Sequence, residues 1–268
     1  MPEAPPPILA DSVTRLGPDA VGAVVVTGSH GGVYAAYLAC KAGCRAAIFN
    51  DAGIGLDDAG VGGLAWLDSH EMAAAAIDYR SADIGNADMM LRHGIVSRVN
   101  ARASSLGLHR GMLCADAVRM LATAEIPQGD IAPVAESRRV LTPEGAKRRL
   151  VLIDSAALVS EEDAGQVVVT GSHGALFGAD PMNALKVDAA LALFNDAGGG
   201  VGTTRLPALQ RRGVAAATVA ADSARIGDAH STWQDGVIST CNAAAKAMGA
   251  KPGMSARDFV THVLRSFN

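Results

Sequence analysis

Val24-Val-Val-Thr-Gly-Ser-His-Gly31 recurs letter for letter as Val167-Val-Val-Thr-Gly-Ser-His-Gly174. Three β-branched residues and a threonine, running into glycine-flanked Ser-His, read as a buried strand that leaves by a tight turn. Phe49-Asn-Asp-Ala-Gly53 follows the first copy, and Phe194-Asn-Asp-Ala-Gly198 follows the second. Farther on, Ser81-Ala-Asp-Ile-Gly85 matches Ser223-Ala-Arg-Ile-Gly227. Gly94-Ile-Val-Ser97 matches Gly236-Val-Ile-Ser239, and Asn100 matches Asn242. Upstream, Asp11-Ser12 answers Asp154-Ser155. Order is kept and spacing hardly drifts, so the chain reads as an internal duplication. The expected units are residues 8–126 and 151–268. Between them lies a proline-containing, basic connector, 127–150, with one short helix expected near Pro143-Glu-Gly-Ala-Lys147.

Around these motifs, short β-branched runs alternate with alanine-rich helical stretches. That alternation predicts an α/β fold: two mostly parallel-sheet, Rossmann/flavodoxin-like units related by a pseudo-two-fold, in three layers. In the first unit, strands are expected at Ala23–Thr27, Arg45–Phe49 and Met72–Ile77. Gly28–Gly32 and Asn50–Gly55 would be exit loops. Helices are expected at Val33–Lys41, Ala59–His70 and Val96–Gly107, and the second unit should follow the same course. All three repeated loops then leave the carboxyl ends of successive parallel strands, where open α/β sheets bind ligands near a switch in strand order.

Composition narrows the classes of function. Of 268 residues, 49% are hydrophobic and 19% charged, which suits a folded core and not a disordered chain. A formal net charge of −4 gives no electrostatic case for nucleic acid, and 4% aromatics give no stacking platform. The start, Met1-Pro-Glu-Ala-Pro-Pro-Pro7, has neither a basic nor an apolar region of the kind a secretory signal needs. Apolar runs such as Val214–Ala221 are strand-sized, so no membrane span is expected. Cys40, Cys44, Cys114 and Cys241 form no CxxC pair and read as reduced, buried thiols of a cytoplasmic protein.

Turn chemistry accounts for Gly28, Gly31 and Gly32, for Gly171 and Gly174, and for Ser29 and Ser172 as caps. It does not call for an imidazole. His30 and His173 at the same loop position are therefore the first candidates for acid–base work. Asp51 and Asp196 would orient or deprotonate, and a nearby serine, either Ser29 (with Ser172 in the second unit) or Ser81, is the candidate nucleophile. The loop glycines, with Asn50, Asn195, Ser81 and Ser223, would make an anion cradle. Charges change places between the units: Asp83 corresponds to Arg225 and Arg80 to Asp222. Arg225 then reads as a cation for a substrate carboxylate. No HxxxH or HExxH spacing supports a metal, so none is expected.

Val24–Val33, a helix, then Ala46-Ala-Ile-Phe-Asn-Asp51 resembles the opening of short-chain dehydrogenases, which run strand, TGxxxGxG, helix, strand, acidic residue. The resemblance implies a nucleotide-dependent oxidoreductase. Here the glycines read TGSHGG, a shorter turn, and the YxxxK letters fall in the first helix as Tyr37-Leu-Ala-Cys-Lys41. The leading expectation is a cofactor-independent enzyme, a hydrolase or lyase, acting on a small polar or anionic metabolite as a homo-oligomer. The alternatives are the dinucleotide-dependent oxidoreductase and a non-catalytic small-molecule binding protein.

Overall fold

The computed structural model describes residues 6–176 and 180–266. They divide into two compact units, Met1–Ile54 with Asp58–Ala135, and Gly55–Asp57 with Glu136–Asn268.

Unit one is a five-stranded sheet built from β1 (Ile8–Ala10), β2 (Val24–His30), β3 (Ala46–Asn50), β4 (Ala73–Ile77) and β5 (Val96–Val99), in that spatial order. The first four are parallel and β5 is antiparallel to β4. Its helices are α1 (Val33–Lys41), α2 (Gly63–Ser69), α3 (Ala87–His93), α4 (Ala101–Ser105) and α5 (Cys114–Leu121). Alternation along each strand sends side chains to two cores. Val25, Ala47, Phe49, Ala74 and Ala76 pack under α1 and α2. Val26, Ile48, Ala75 and Ile77 pack with Met90 of α3 and with Ala117, Val118 and Leu121 of α5. Unit one is thus a three-layered α/β sandwich.

Unit two has six strands in the order β11, β10, β9, β8, β7, β6. They are β6 (Arg138–Leu141), β7 (Leu150–Ile153), β8 (Val167–His173), β9 (Leu191–Asn195), β10 (Ala215–Val219) and β11 (Ile238–Cys241). The four central strands are parallel, and β6 and β11 run antiparallel at the edges. Helices α6 (Arg205–Arg211), α7 (Ala229–Gln234), α8 (Ala243–Ala247) and α9 (Ala256–Ser266) complete it. Leu206 and Leu209 of α6 cover Val168, Ala192, Phe194 and Ala216, while Phe259 and Val263 of α9 cover the opposite face.

Several expectations change. The sheets are mostly parallel, but both strand orders run monotonically, whereas Rossmann and flavodoxin orders reverse direction. Among the described residues, neither sheet therefore has a topological switch point. β2 does not stop at Thr27: it continues to His30 across a bulge. The helix expected over 59–70 begins only at Gly63, because Ala52–Asp58 run largely through left-handed backbone. Val96–Gly107 is not one helix. Val96-Ser-Arg-Val99 forms the antiparallel edge strand, and Asn100 then caps α4. The connector holds strand β6 in place of a helix near Pro143, where Gly145 turns the chain at φ +74°.

Unit two also departs from unit one between β8 and β9, where the described residues contain no counterpart of α1, only the short 3-10 turn Pro181–Ala184 capped by Asp180. In unit one, Gly63 lets α2 meet α1: an added Cβ would lie 2.5 Å from Gly32 O and 2.7 Å from Ala36 Cβ. The corresponding residue in unit two is Arg205. Its amide makes the same bond, to Gly174 O as Gly63 does to Gly31 O, both 2.8 Å. Its guanidinium donates to the carbonyls of Ala175 (3.0 Å) and Ala184 (2.7 Å) and lies over the Phe194 ring.

Asn100 and Asn242 are internal struts. Asn100 Oδ1 accepts the amides of Ala74 and Ala103, both at 3.0 Å, and Nδ2 donates to Met72 O at 2.8 Å. Asn242 repeats this with Ala216, Ala245 and Val214. Either Asn→Ala change leaves several buried backbone groups unmatched and should cost about 2–3 kcal/mol in urea denaturation. A loss below about 0.5 kcal/mol would show that water replaces these bonds.

Candidate functional site

The two Thr-Gly-Ser-His-Gly segments are built alike. β2 pairs with β3 in register from Val24↔Ala46 to Val26↔Ile48, then resumes only at His30↔Asn50. β8 and β9 do the same, from Val169↔Leu193 to His173↔Asn195. The bulge residues carry the glycine and serine. A Cβ on Gly28 would sit 2.7 Å from Asn86 N and Asp11 O, and one on Gly171 would sit 2.4 Å from Asp228 N. Glycine is required there so that the strand can touch the next loop: Gly85 N–H donates to Gly28 O at 2.8 Å and Gly227 N–H to Gly171 O at 2.7 Å.

The loops leave the carboxyl ends of neighbouring strands, and most of their polar atoms bind backbone. Ser29 Oγ accepts the Val13 amide at 3.0 Å, and Ser172 Oγ accepts that of Ala156 at 2.9 Å. Asn50 donates to Ala82 O and accepts from Ala52 N, both at 2.9 Å; Asn195 does the same with Ala224 and Ala197. Asp51 Oδ1 accepts the amides of Gly53 and Tyr79, and Asp196 Oδ1 accepts that of Ala221. Ser81 Oγ bridges Asp78 O and Ile95 N, as Ser223 Oγ bridges Ala220 O and Val237 N. The Gly31 and Gly174 amides donate to Asn50 O and Asn195 O. Arg225 reaches Asp228 at 3.2 Å and Asp57 at 3.0 Å.

The histidines are placed differently. His30 Nδ1 accepts the Gly32 amide at 3.1 Å, and His173 Nδ1 accepts the Ala175 amide at 3.2 Å. A nitrogen that accepts an amide carries no proton, so the neutral ring holds its proton on Nε2. In each unit the imidazole is thus a fixed Nε2–H donor and not a triad-type base whose Nδ1–H points at a carboxylate. Burial lowers the His30 pKa to about 4, so this ring is neutral at physiological pH. His173 is 6% exposed.

Two features had no sequence signal. A cavity of about 540 Å³ lies in unit one by the amino ends of β3 and β4, lined by Cys40, Lys41, Cys44, His70, Glu71 and the 127–131 segment. Burial pushes the Cys44 thiol up to about 12 and raises that of Cys40, so both stay protonated and unreactive. The second is Glu136, brought beside Asp154 at the end of β7. Among the described residues, no three His, Cys, Asp or Glu side chains are grouped to hold a metal ion, and no helix is long and apolar enough to cross a membrane. No family model, curated protein or solved structure matches the chain.

Proposed function

We propose that the protein is a cofactor-independent enzyme of hydrolase or lyase type, acting on a small polar or anionic metabolite at the carboxyl ends of the strands. One observation carries the reading: in both units a histidine at the end of a bulged strand has its Nδ1 fixed by an amide, which directs the proton to Nε2. A neutral imidazole donor of this kind stabilises negative charge as it develops on a carbonyl or phosphoryl oxygen. Asp51 and Asp196 then stay in the reading as the groups that take up or hold a proton. A non-catalytic binder is the second reading. It is favoured by Ser29, Asn50 and Ser81, whose polar atoms are engaged with backbone and are poorly placed to react.

The test is a panel of small esters, amides, lactones and phosphomonoesters, followed by mass spectrometry and by thermal shift. In the double variant His30→Ala/His173→Ala, kcat should fall about 10²–10³-fold. Binding should weaken less, and the variant should still unfold cooperatively, at a lower temperature because two amides lose their acceptors. The corresponding Gln variants, which keep an amide donor, should recover part of the loss. Ligands that shift the melt without turnover would favour the binder. Near-native turnover in the double alanine variant would remove the imidazoles from the chemistry.

A further inference from the structure

β1 and β7 hold the same place in the two units. β1 pairs with β2 from Ile8↔Val25 to Ala10↔Thr27, and β7 pairs with β8 through Val151↔Val168 to Ile153↔Thr170. Past each strand stands an aspartate whose Oδ1 accepts the first amide of a helix: Asp11 that of Ala87 at 3.1 Å, Asp154 that of Ala229 at 3.0 Å. The units differ in what lies outside. β7 is covered by β6, antiparallel, in register Arg138↔Ile153 to Leu141↔Leu150. β1 is the edge of its sheet. Leu9 is 39% exposed, where its counterpart Leu152 is 3% exposed.

Asp154 shows how the covering strand is held. Ser137 N–H donates to its Oδ2 at 2.6 Å, and its own N–H donates to Ser137 O at 3.1 Å. That closes the bonded pair at the start of β6, and alternation makes Arg139 with Leu152, and Leu141 with Leu150, the next bonded pairs. Asp11 presents the same two groups. Neither its Oδ2 nor its N–H has a partner among the described residues. By the same alternation, the N–H and C=O of Leu9 and the C=O of Pro7 face outward from the edge.

We propose that the β1 edge is a docking site for an extended, basic segment of another protein, which adds antiparallel to β1 in the register that β6 takes on β7. β6 is the template for this occupant. Five residues suffice. The first gives its N–H to Asp11 Oδ2, the third to Leu9 O and the fifth to Pro7 O, so proline is excluded at all three. β6 carries Arg138, which bonds Asp163 in a turn between β7 and β8. The matching turn of unit one, Pro18–Ala20, keeps an exposed carboxylate, Asp19, which favours a cation at the second position. A second copy that paired through its own β1 about Leu9 would set Pro7, which has no N–H, against Asp11. The inference does not depend on the catalytic reading.

The probe is the blocked peptide acetyl-Ser-Arg-Arg-Val-Leu-amide, the sequence of residues 137–141, titrated into the full chain. Bound peptide should slow exchange of the Leu9 and Asp11 amides about tenfold, as read by NMR. N-methylation of its third residue should weaken binding about tenfold, because a bond is lost and Leu9 O is left unmatched. N-methylation of the fourth, whose N–H faces away from the edge, should change affinity by no more than about twofold. These changes lie in the peptide, so the protein's folding is untouched. No binding at about 1 mM peptide would overturn the proposal. Equal weakening by the two methyl groups, or shift changes centred on β7 in place of β1, would do the same. So would a native chain that is dimeric with its Leu9 and Asp11 amides already protected, since a second copy would then hold the edge.

Discussion

Arg205→Ala should destabilise the protein by about 2–5 kcal/mol, the range for leaving two buried carbonyls without a donor. Arg205 is 4% exposed at the start of α6 and donates to the carbonyls of Ala175 and Ala184, both buried. Burial lowers its own pKa to about 10, so it remains charged throughout the working range. Truncation strips both carbonyls of their donor and opens a void above Phe194, and it adds nothing in exchange. Arg205→Met keeps much of the volume and should cost less. In unit one the equivalent experiment runs in the opposite sense: Gly63→Ala adds an atom 2.5 Å from Gly32 O and should push α1 and α2 apart. Equilibrium urea denaturation measures all three. An Arg205→Ala variant within about 1 kcal/mol of the parent would mean that solvent fills the space and satisfies the carbonyls.

The two units should respond to acid in opposite directions. For His30 the folded pKa, about 4, lies below the ordinary 6.5. Its contribution is complete above pH 6.5 and is lost as pH falls toward 4, because the unfolded chain takes up a proton that the folded one refuses. At 1.36 kcal/mol per unit this amounts to at most about 3 kcal/mol for unit one. For Glu136 the folded pKa, about 7, lies above 4.5. Unit two keeps that contribution below pH 4.5 and loses it as pH rises toward 7. The effect should be smaller, about 1–2 kcal/mol, since Glu136 is partly exposed. Lowering pH from 6.5 to 4.5 should therefore weaken protection in β2–β4 and strengthen it in β6 and β7. Hydrogen exchange resolved by peptide measures each unit separately, and His30→Gln should flatten the first trend alone. A common direction in both units would refute the assignment of these two groups.

Much of the fold was legible. The Val24–Val26 and Val167–Val169 runs mark central strands, and Val33–Lys41 is a helix with the bounds its sequence suggests. The order of strands was not legible, because periodicity reports what a segment is and not which neighbour it takes. Val96-Ser-Arg-Val99 was missed for a related reason: four residues at an antiparallel edge carry too little pattern to distinguish a strand from a helical turn. The site was partly legible. Sequence placed Ser29, Asn50, Asp51 and Ser81 at the strand ends, where each bonds to backbone groups of its own surroundings. It could not tell a side chain that reacts from one that satisfies a backbone amide, since parallel strand ends need many such partners and serine, asparagine and aspartate serve both purposes. Glu136 left no trace, because its neighbour Asp154 lies across β6 and β7 and it has no counterpart in the other unit.

The monotonic strand order bears on how the chain is made. Each strand pairs with the one synthesised just before it, so a nascent chain leaving the ribosome always finds its partner already present. No strand has to wedge between two that have closed, as a reversed order demands. Sheet growth by accretion keeps the loops to be closed short, which favours rapid folding and limits the time that open edges are exposed. The second face is the late step. Val26, Ile48 and Ala75 wait for α5, which begins only at Cys114. Until then the half-built first unit offers an apolar sheet face, and that face is where a chaperone would find it.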